Sequence, residues 1–267
     1  MDLKEICAQV IEIAKATGGY IRKERLSFSS EMVETKGLHN FVSHVDKNAE
    51  IRLVEQLKIL LPEAGFIAEE GTGKRNKEGL NWVVDPLDGT TNFIHGLPPY
   101  SVSIGLINNN DAILGVIYEI NLDECFYSWK GGAAYLNNEV IKVSTAEFVK
   151  DSLIATGFPY IDFDRMSPFL KSFEFFMKNS HGLRRLGSAA ADLAYVACGR
   201  LDAFYEYGLS PWDVAAGAFI VQQAGGKVGD FNGGNDYLFG GELVASNGKI
   251  FDEFSSSVHD YMSRKKE

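Results

Sequence analysis

In residues 81–93, NWVVDPLDGTTNF, an apolar run stops on a pair of carboxylates. Trp82, Val83 and Val84 demand burial, and Asp85, Pro86, Leu87, Asp88 and Gly89 follow at once. Two acids placed three residues apart at the end of a buried strand repel one another. Folding alone gives no reason for the arrangement; a bound cation does.

The rest of the chain is that of an ordinary globular protein. Its 267 residues suit one large domain or two small ones. We expect a single domain over 1–267, with an N-terminal lobe over about 1–145 and a C-terminal lobe over about 146–267. A hydrophobic share of 45% with 23% charged residues builds a core that needs no disulfide or metal staple. The net charge of −10 argues against nucleic-acid or anionic-membrane partners. It leaves a small anionic substrate open, because a bound metal reverses the local field. Cys7, Cys125 and Cys198 suggest neither a disulfide framework nor a CxxC site, which fits a reducing cytoplasm. The start, MDLKEICAQV, does not read as a secretory signal, and no apolar run has the length of a membrane span.

Periodicity predicts a helix over 2–25, with Leu3, Ile6, Val10, Ile13 and Ala14 on one face. A second is predicted over 46–60, with Ile51, Val54, Leu57 and Leu61 inward and Pro62 past its end. GFIA is a short strand running into Glu69 and Glu70, followed by a glycine-rich charged loop over 71–79. NWVV, SVSIGLI, AILGVIYE, ECFYSW and EVIKVS read as strands of an antiparallel sheet. The second half alternates types: strands SLIATG, GLRRLG, DAFYEYG and LVASN, and helices over 166–178, from Ser188, from Ser210 and over 249–263. The class is α+β, in layers.

Glu69 and Glu70 end one predicted strand, Asp85 and Asp88 another, and Asp213 lies in the first turn of a helix. If these ends converge, four carboxylates share a pocket. Hard oxygen donors of this kind suit Mg2+, and ion pairs about 3.5–4 Å apart serve phosphoryl transfer. Each acid alone also has a plain reading, as a solvated turn residue or a favourable charge at a helix N-terminus. Their joint occurrence changes the balance.

DPLDGTTNF, with AEEG upstream and WDVAAG downstream, resembles the inositol monophosphatase family of Mg2+-dependent, lithium-sensitive phosphatases. The resemblance runs from Asp46 in SHVDKNAE to LVASN. It implies a layered α-β-α-β-α sandwich of the sugar phosphatase type, a homodimer, and two or three Mg2+ per site. It implies that Glu69, Asp85 and the carbonyl of Leu87 hold one metal, while Asp85 bridges to a second completed by Asp88 and Asp213. It further implies that Thr90, hydrogen-bonded to Asp46, orients a metal-activated water for in-line attack on phosphorus, with Glu69 beside it in the catalytic set. Thr90 has the chemistry for this, since a hydroxyl accepts from water while donating to a carboxylate. Gly89 lets a backbone approach phosphate closely. With Asp88, Thr90 and Thr91 it forms a phosphate-side wall ahead of a short helix expected from Asn92.

Gly187, Ser188 and Ala189 open a helix, and the resemblance makes them a wall of the substrate pocket; a plain Ser N-cap is the other reading. Glu206 ends a strand, where the family's glutamate takes polyol hydroxyls; a solvated strand end is its other reading. Lys36 lies where the family has a lysine, and a surface role competes. His44 reads as structural, and His39, His95, His181 and His259 show no ligand spacing. Arg184 and Arg185 read as a basic strand in a subunit interface rather than a phosphate contact. FLKSFEFFM reads as a buried helix face.

The sequence therefore predicts Mg2+-dependent hydrolysis of a phosphate monoester, myo-inositol monophosphate first, with no phospho-enzyme. Fructose-1,6-bisphosphatase and histidinol phosphatase are alternatives on the same fold. A nucleotide 3′-phosphatase is disfavoured because Thr91 stands where that group has Lys. A metal-binding regulatory protein without catalysis is the rival from another class; it would be expected to have lost at least one of the acids.

Overall fold

A computed structural model describes residues 1–28, 33–37, 40–159 and 163–263. Helix α1 (Leu3–Arg25) is capped by Asp2, whose carboxylate accepts from the N–H groups of Lys4 and Glu5, and it buries Ile6, Val10 and Ala14. After a two-stranded ladder, β1 (Val33–Gly37) with β2 (Asn40–Ser43), comes α2 (His44–Leu60). Val54, Leu57 and Leu61 are buried, but Ile51, expected inward, is 44% exposed. The buried stripe runs through Asp46, Ala49, Glu50, Leu53 and Leu57, so the fully buried neighbour is Glu50. Lys36 lies in β1 with its side chain outside the described residues, as does His39 altogether.

Both helices cover one face of a seven-stranded sheet. Its order is β3 (Gly65–Ala68), β4 (Leu80–Asp88), β5 (Ser101–Asn108), β6 (Asp111–Glu119), β7 (Glu124–Trp129), β8 (Tyr135–Leu136) and β9 (Glu139–Val140). Only the β3–β4 pair is parallel. The strand expected over EVIKVS shrinks to Glu139–Val140. The short α3 (Thr90–His95) follows β4 directly, starting two residues before the expected Asn92 because Gly89, at φ 95°, is already its N-cap.

A five-stranded sheet is ordered β11-β10-β12-β14-β13. Its strands are β10 (Leu153–Thr156), β11 (Gly182–Arg184), β12 (Ala203–Tyr207), β13 (Lys227–Gly229) and β14 (Glu242–Ser246). Helices α5 (Ala189–Ala197) and α6 (Pro211–Gln223) lie between the sheets. Helices α4 (Met166–Asn179) and α7 (Phe251–Met262) close the outer face. The stacking is α-β-α-β-α, as the family resemblance implied. On α4 the aromatic stripe is buried only at Phe169 and Phe176, while Leu170 and Met177 face outward.

Two local features aim the acids. The first is in β4, which runs on through both aspartates rather than stopping before them. Its register with β5 slips by one residue between Asp85↔Ser103 and Asp88↔Ser101. Pro86, which has no N–H to donate, lies inside this bulge. Residues three apart on a regular strand point to opposite faces; the extra residue returns Asp88 to the face of Asp85. The second is the seat of α6. Gly105 and Gly115 pair across β5 and β6. A Cβ on Gly115 would lie 2.6 Å from the carbonyl oxygen of Ala216, and one on Gly105 would lie 3.1 Å from the Cβ of Ala215. The two glycines thus let the alanine-rich start of α6 sit directly on the strands. Ser103 Oγ donates to the Trp212 carbonyl at 3.2 Å and fixes that end. Asp213 arrives beside the β4 bulge as a result.

Candidate metal centre and active site

Asp85, Asp88 and Asp213 each offer a carboxylate oxygen, and these oxygens all lie within 4.8 Å of one another. Asp85 and Asp88 are buried and Asp213 half-buried. Burial first, then the charges of Glu69, Asp88 and Asp213, pushes Asp85 well above the ordinary carboxylate range. Burial and the charge of Asp88 do the same to Asp213. Burial raises Asp88 as well, against the pull of hydrogen bonds from Ser188, Ala190 and Ala189. The donor set fits a hard divalent cation: closely spaced carboxylate oxygens, no sulfur or imidazole among them, and mutual repulsion that a cation would relieve.

The scaffold grips each acid separately. Asp85 Oδ1 accepts from the N–H of Leu87 at 2.9 Å, which bends the chain so that Leu87 is buried beneath it. Asp88 Oδ2 accepts from Ser188 Oγ at 2.6 Å and from the N–H of Ala190 at 2.7 Å, at the start of α5. Ser188 Oγ in turn accepts from the N–H of Ala191 at 3.2 Å, so it both caps α5 and fixes the Asp88 carboxylate. Asp213 is the third residue of α6 and closes a capping box, accepting from the N–H of Ser210 at 2.7 Å.

Thr90 and Asp46 meet across 44 residues of sequence. Thr90 Oγ1 lies 3.0 Å from Asp46 Oδ1 and 3.1 Å from the carbonyl oxygen of Leu87. The other oxygen of Asp46 accepts from Ser43 Oγ at 2.6 Å and Ser43 N–H at 2.8 Å, closing the capping box of α2. Burial raises the Asp46 carboxyl, and the hydrogen bonds from Ser43 and Thr90 oppose that rise. The turn between Asp88 and α3 leaves no room for a side chain: a Cβ on Gly89 would lie 3.1 Å from the Pro99 carbonyl oxygen and 3.2 Å from that of Gly187. Thr91 is exposed beside it. Asn92, no candidate in the sequence, donates to the carbonyls of Pro99 and Leu186, both at 2.8 Å, and so ties α3 to the Gly187–Ala189 segment.

Glu206 is buried on β12. A Cβ added to Gly157 would fall 1.8 Å from its carboxyl group, so the absence of a side chain at 157 makes the space Glu206 occupies. Burial pushes Glu206 up to about 8; Arg185 pulls it down and Asp88 pushes it further up. Here the basic pair differs from expectation. Arg184 is exposed on β11, whereas Arg185 is partly buried, lies over the Phe158 ring at 5.4 Å, and pulls down the carboxyls of Asp88, Asp192 and Glu206. Asp192 and Glu50 are buried acids that sequence reading passed over. Their i+4 spacings, Ser188 to Asp192 and Asp46 to Glu50, were the available signal. His44 lies 3.3 Å from Glu24 and stacks beside Phe28, a structural setting.

Known proteins resemble this chain over most of its length. The profile of the inositol monophosphatase family matches residues 2–263. The inositol-1-monophosphatase of Mesorhizobium japonicum is 38% identical over 239 residues, 89% of this chain and 90% of that protein. The Nus factor SuhB of Escherichia coli is 36% identical over 254 residues, 95% of each chain. The solved structure of an inositol monophosphatase from Anabaena superposes with a TM-score of 0.87 at 35% identity, covering 98% of both chains.

The raised carboxyls set a pH dependence. Asp85, Asp88, Asp213 and Glu206 bind protons more tightly folded than unfolded. Stability from such groups is fully present below the unfolded pKa and is lost as pH rises through the folded one. For Glu206 that window runs from 4.5 to about 8. The thermal midpoint of the metal-free chain is therefore expected to fall between about pH 5 and about pH 8, with added Mg2+ raising it more at the upper pH. Scanning calorimetry with and without Mg2+ checks this; a midpoint that rises with pH, or a Mg2+ effect larger at low pH, contradicts it.

Proposed function

The chain belongs to the inositol monophosphatase family, and we propose that it hydrolyses a polyol phosphate monoester, myo-inositol monophosphate first, using Mg2+. Glu69, Asp85, Asp88, Asp213 and the carbonyl of Leu87 would hold the metal. The observation that carries this reading is the convergence of Asp85, Asp88 and Asp213 within 4.8 Å. The chemistry that bound Mg2+ supplies is acidification of water near neutral pH and neutralisation of phosphate charge.

The protein's own groups do the positioning. Thr90 has one proton to give, and both Asp46 and the Leu87 carbonyl lie within reach to accept it. Its lone pairs are thereby left to accept from an attacking water. Ser43 holds Asp46 from behind with two hydrogen bonds, so the carboxylate does not turn away. Gly89 lets the turn after Asp88 pack closely on the backbone of Pro99 and Gly187, which brings the Gly187–Ala189 segment up to the acids. Glu206 offers two oxygens to vicinal hydroxyls of the alcohol. With Asp192 beside it, Glu206 offers a second phosphate hydrogen bonds but no positive charge, which speaks for a polyol monophosphate over a sugar bisphosphate.

The name of the Escherichia coli relative, Nus factor, gives a second reading in which the fold serves without catalysis. The Thr90–Asp46 hydrogen bond speaks for the enzyme, because it fixes a hydroxyl beside the acids, which binding a cation alone does not require. A homodimer in the cytoplasm remains part of the proposal on family grounds.

Glu206→Gln is expected to reduce turnover of inositol monophosphate more than that of a simple aryl phosphate, by roughly 1.5–3 kcal/mol in kcat/KM, the worth of a charged hydrogen bond. Gly157→Ala should act in the same direction by displacing the same carboxyl. Equal losses on both substrates would remove Glu206 from polyol recognition.

Thr90→Ala and Asp46→Asn are each expected to slow kcat by a large factor while leaving the Mg2+ requirement nearly in place. Their double mutant should be scarcely slower than the worse single one, as for groups acting as a unit. A double-mutant cycle on kcat decides; losses that add in free energy would show two independent roles.

A further inference from the structure

Glu50 is a fully buried acid within the apolar stripe of α2, among Ala49, Leu53 and Val54. A carboxylate there is costly unless its oxygens are satisfied. Both are: Oε2 accepts from the N–H of Glu70 at 2.6 Å, and Oε1 from the N–H of Thr72 at 2.7 Å. Charge-assisted bonds this short are among the strong ones. Gly71, between the two donors, has φ 83° and open space around its missing Cβ, so its glycine serves the backbone conformation rather than packing. That conformation turns two N–H groups toward one carboxylate. The strand β3 ends one residue before Glu69. On the sheet side, the Glu69 N–H donates to the Val84 carbonyl at 3.3 Å. Glu69 is thus held between β4 and the grip of Glu50.

Asp46 and Glu50 are four residues apart on α2, and such residues share a helix face. One receives Thr90, the other the turn after Glu69. We propose that Glu50 is a positioning residue for metal binding. It clamps the 70–72 turn so that Glu69 reaches the cation, and with Asp46 it makes α2 the element that sets both metal ligand and water-orienting threonine. This rests on the metal reading given above. A merely structural Glu50 would lower stability without changing cation affinity, whereas a positioning one changes affinity in a folded protein.

The test is calorimetric titration of Mg2+ into the full-length wild-type chain, Glu50→Gln, Gly71→Ala and Glu174→Gln, each checked for folding by circular dichroism. Gln keeps the volume but turns an N–H2 toward an N–H. The Mg2+ dissociation constant of Glu50→Gln is expected to rise about 10- to 100-fold, as for other groups that orient metal ligands. Gly71→Ala, which strains the same turn and leaves every charge in place, should weaken binding in the same direction. Glu174→Gln, an exposed change on α4 outside the site, should bind Mg2+ as the wild type does. A folded Glu50→Gln with wild-type affinity overturns the inference while leaving the metal reading intact. If Glu50→Gln does not fold, wild-type affinity in Gly71→Ala overturns it. Absence of Mg2+ binding by the wild type overturns the metal reading and this inference together.

Discussion

Repulsion among Asp85, Asp88 and Asp213 governs the rest of the molecule. Three carboxylate oxygens within 4.8 Å do not ionise together without help, and burial makes each ionisation harder. Part of that help comes from helix starts. Asp46 is the third residue of α2, Asp213 is the third residue of α6, and Asp88 takes the N–H of Ala190 and the capping hydroxyl of Ser188 at the start of α5. Helix N-termini present unsatisfied N–H groups and a positive partial charge. The starts of α5 and α6 hold two of the three acids and offset some of the negative charge, and a divalent cation would take the remainder.

The layered architecture is what brings those helix starts together. Helix α2 belongs to the outer layer against the seven-stranded sheet, while α5 and α6 form the layer between the sheets. Their starts converge where β4 ends, and the bulge at Pro86 turns two aspartates to a common side. Gly105 and Gly115 allow α6 to come close enough for Asp213 to join them. A wider spacing between α6 and the sheet would leave a two-carboxylate site.

Much of this was legible beforehand. An apolar strand that runs into DPLDG and WD at a helix start carry their meaning in local order, because each acid sits where its element begins or ends; the acids that converge are Asp85, Asp88 and Asp213. The layered fold likewise followed from the family resemblance and the alternation of strands and helices. Less legible were features that depend on neighbours. Nothing local says that β4 continues through Pro86, since the cue is a one-residue slip against β5. Ile51 looked inward because apolar periodicity cannot tell a leucine stripe from one containing a satisfied carboxylate, and the donors to Glu50 lie 20 and 22 residues away. Arg184 and Arg185 are alike in sequence, yet the chain turns after β11 and sends only the second toward Glu206 and Asp88.

Metal dependence of phosphate release tests the central claim most directly. The chain is stripped with a chelator, and phosphate freed from myo-inositol monophosphate is followed while Mg2+ is titrated back. The account predicts no turnover in the stripped protein and recovery on Mg2+ addition. Undiminished phosphate release after exhaustive chelation would contradict it.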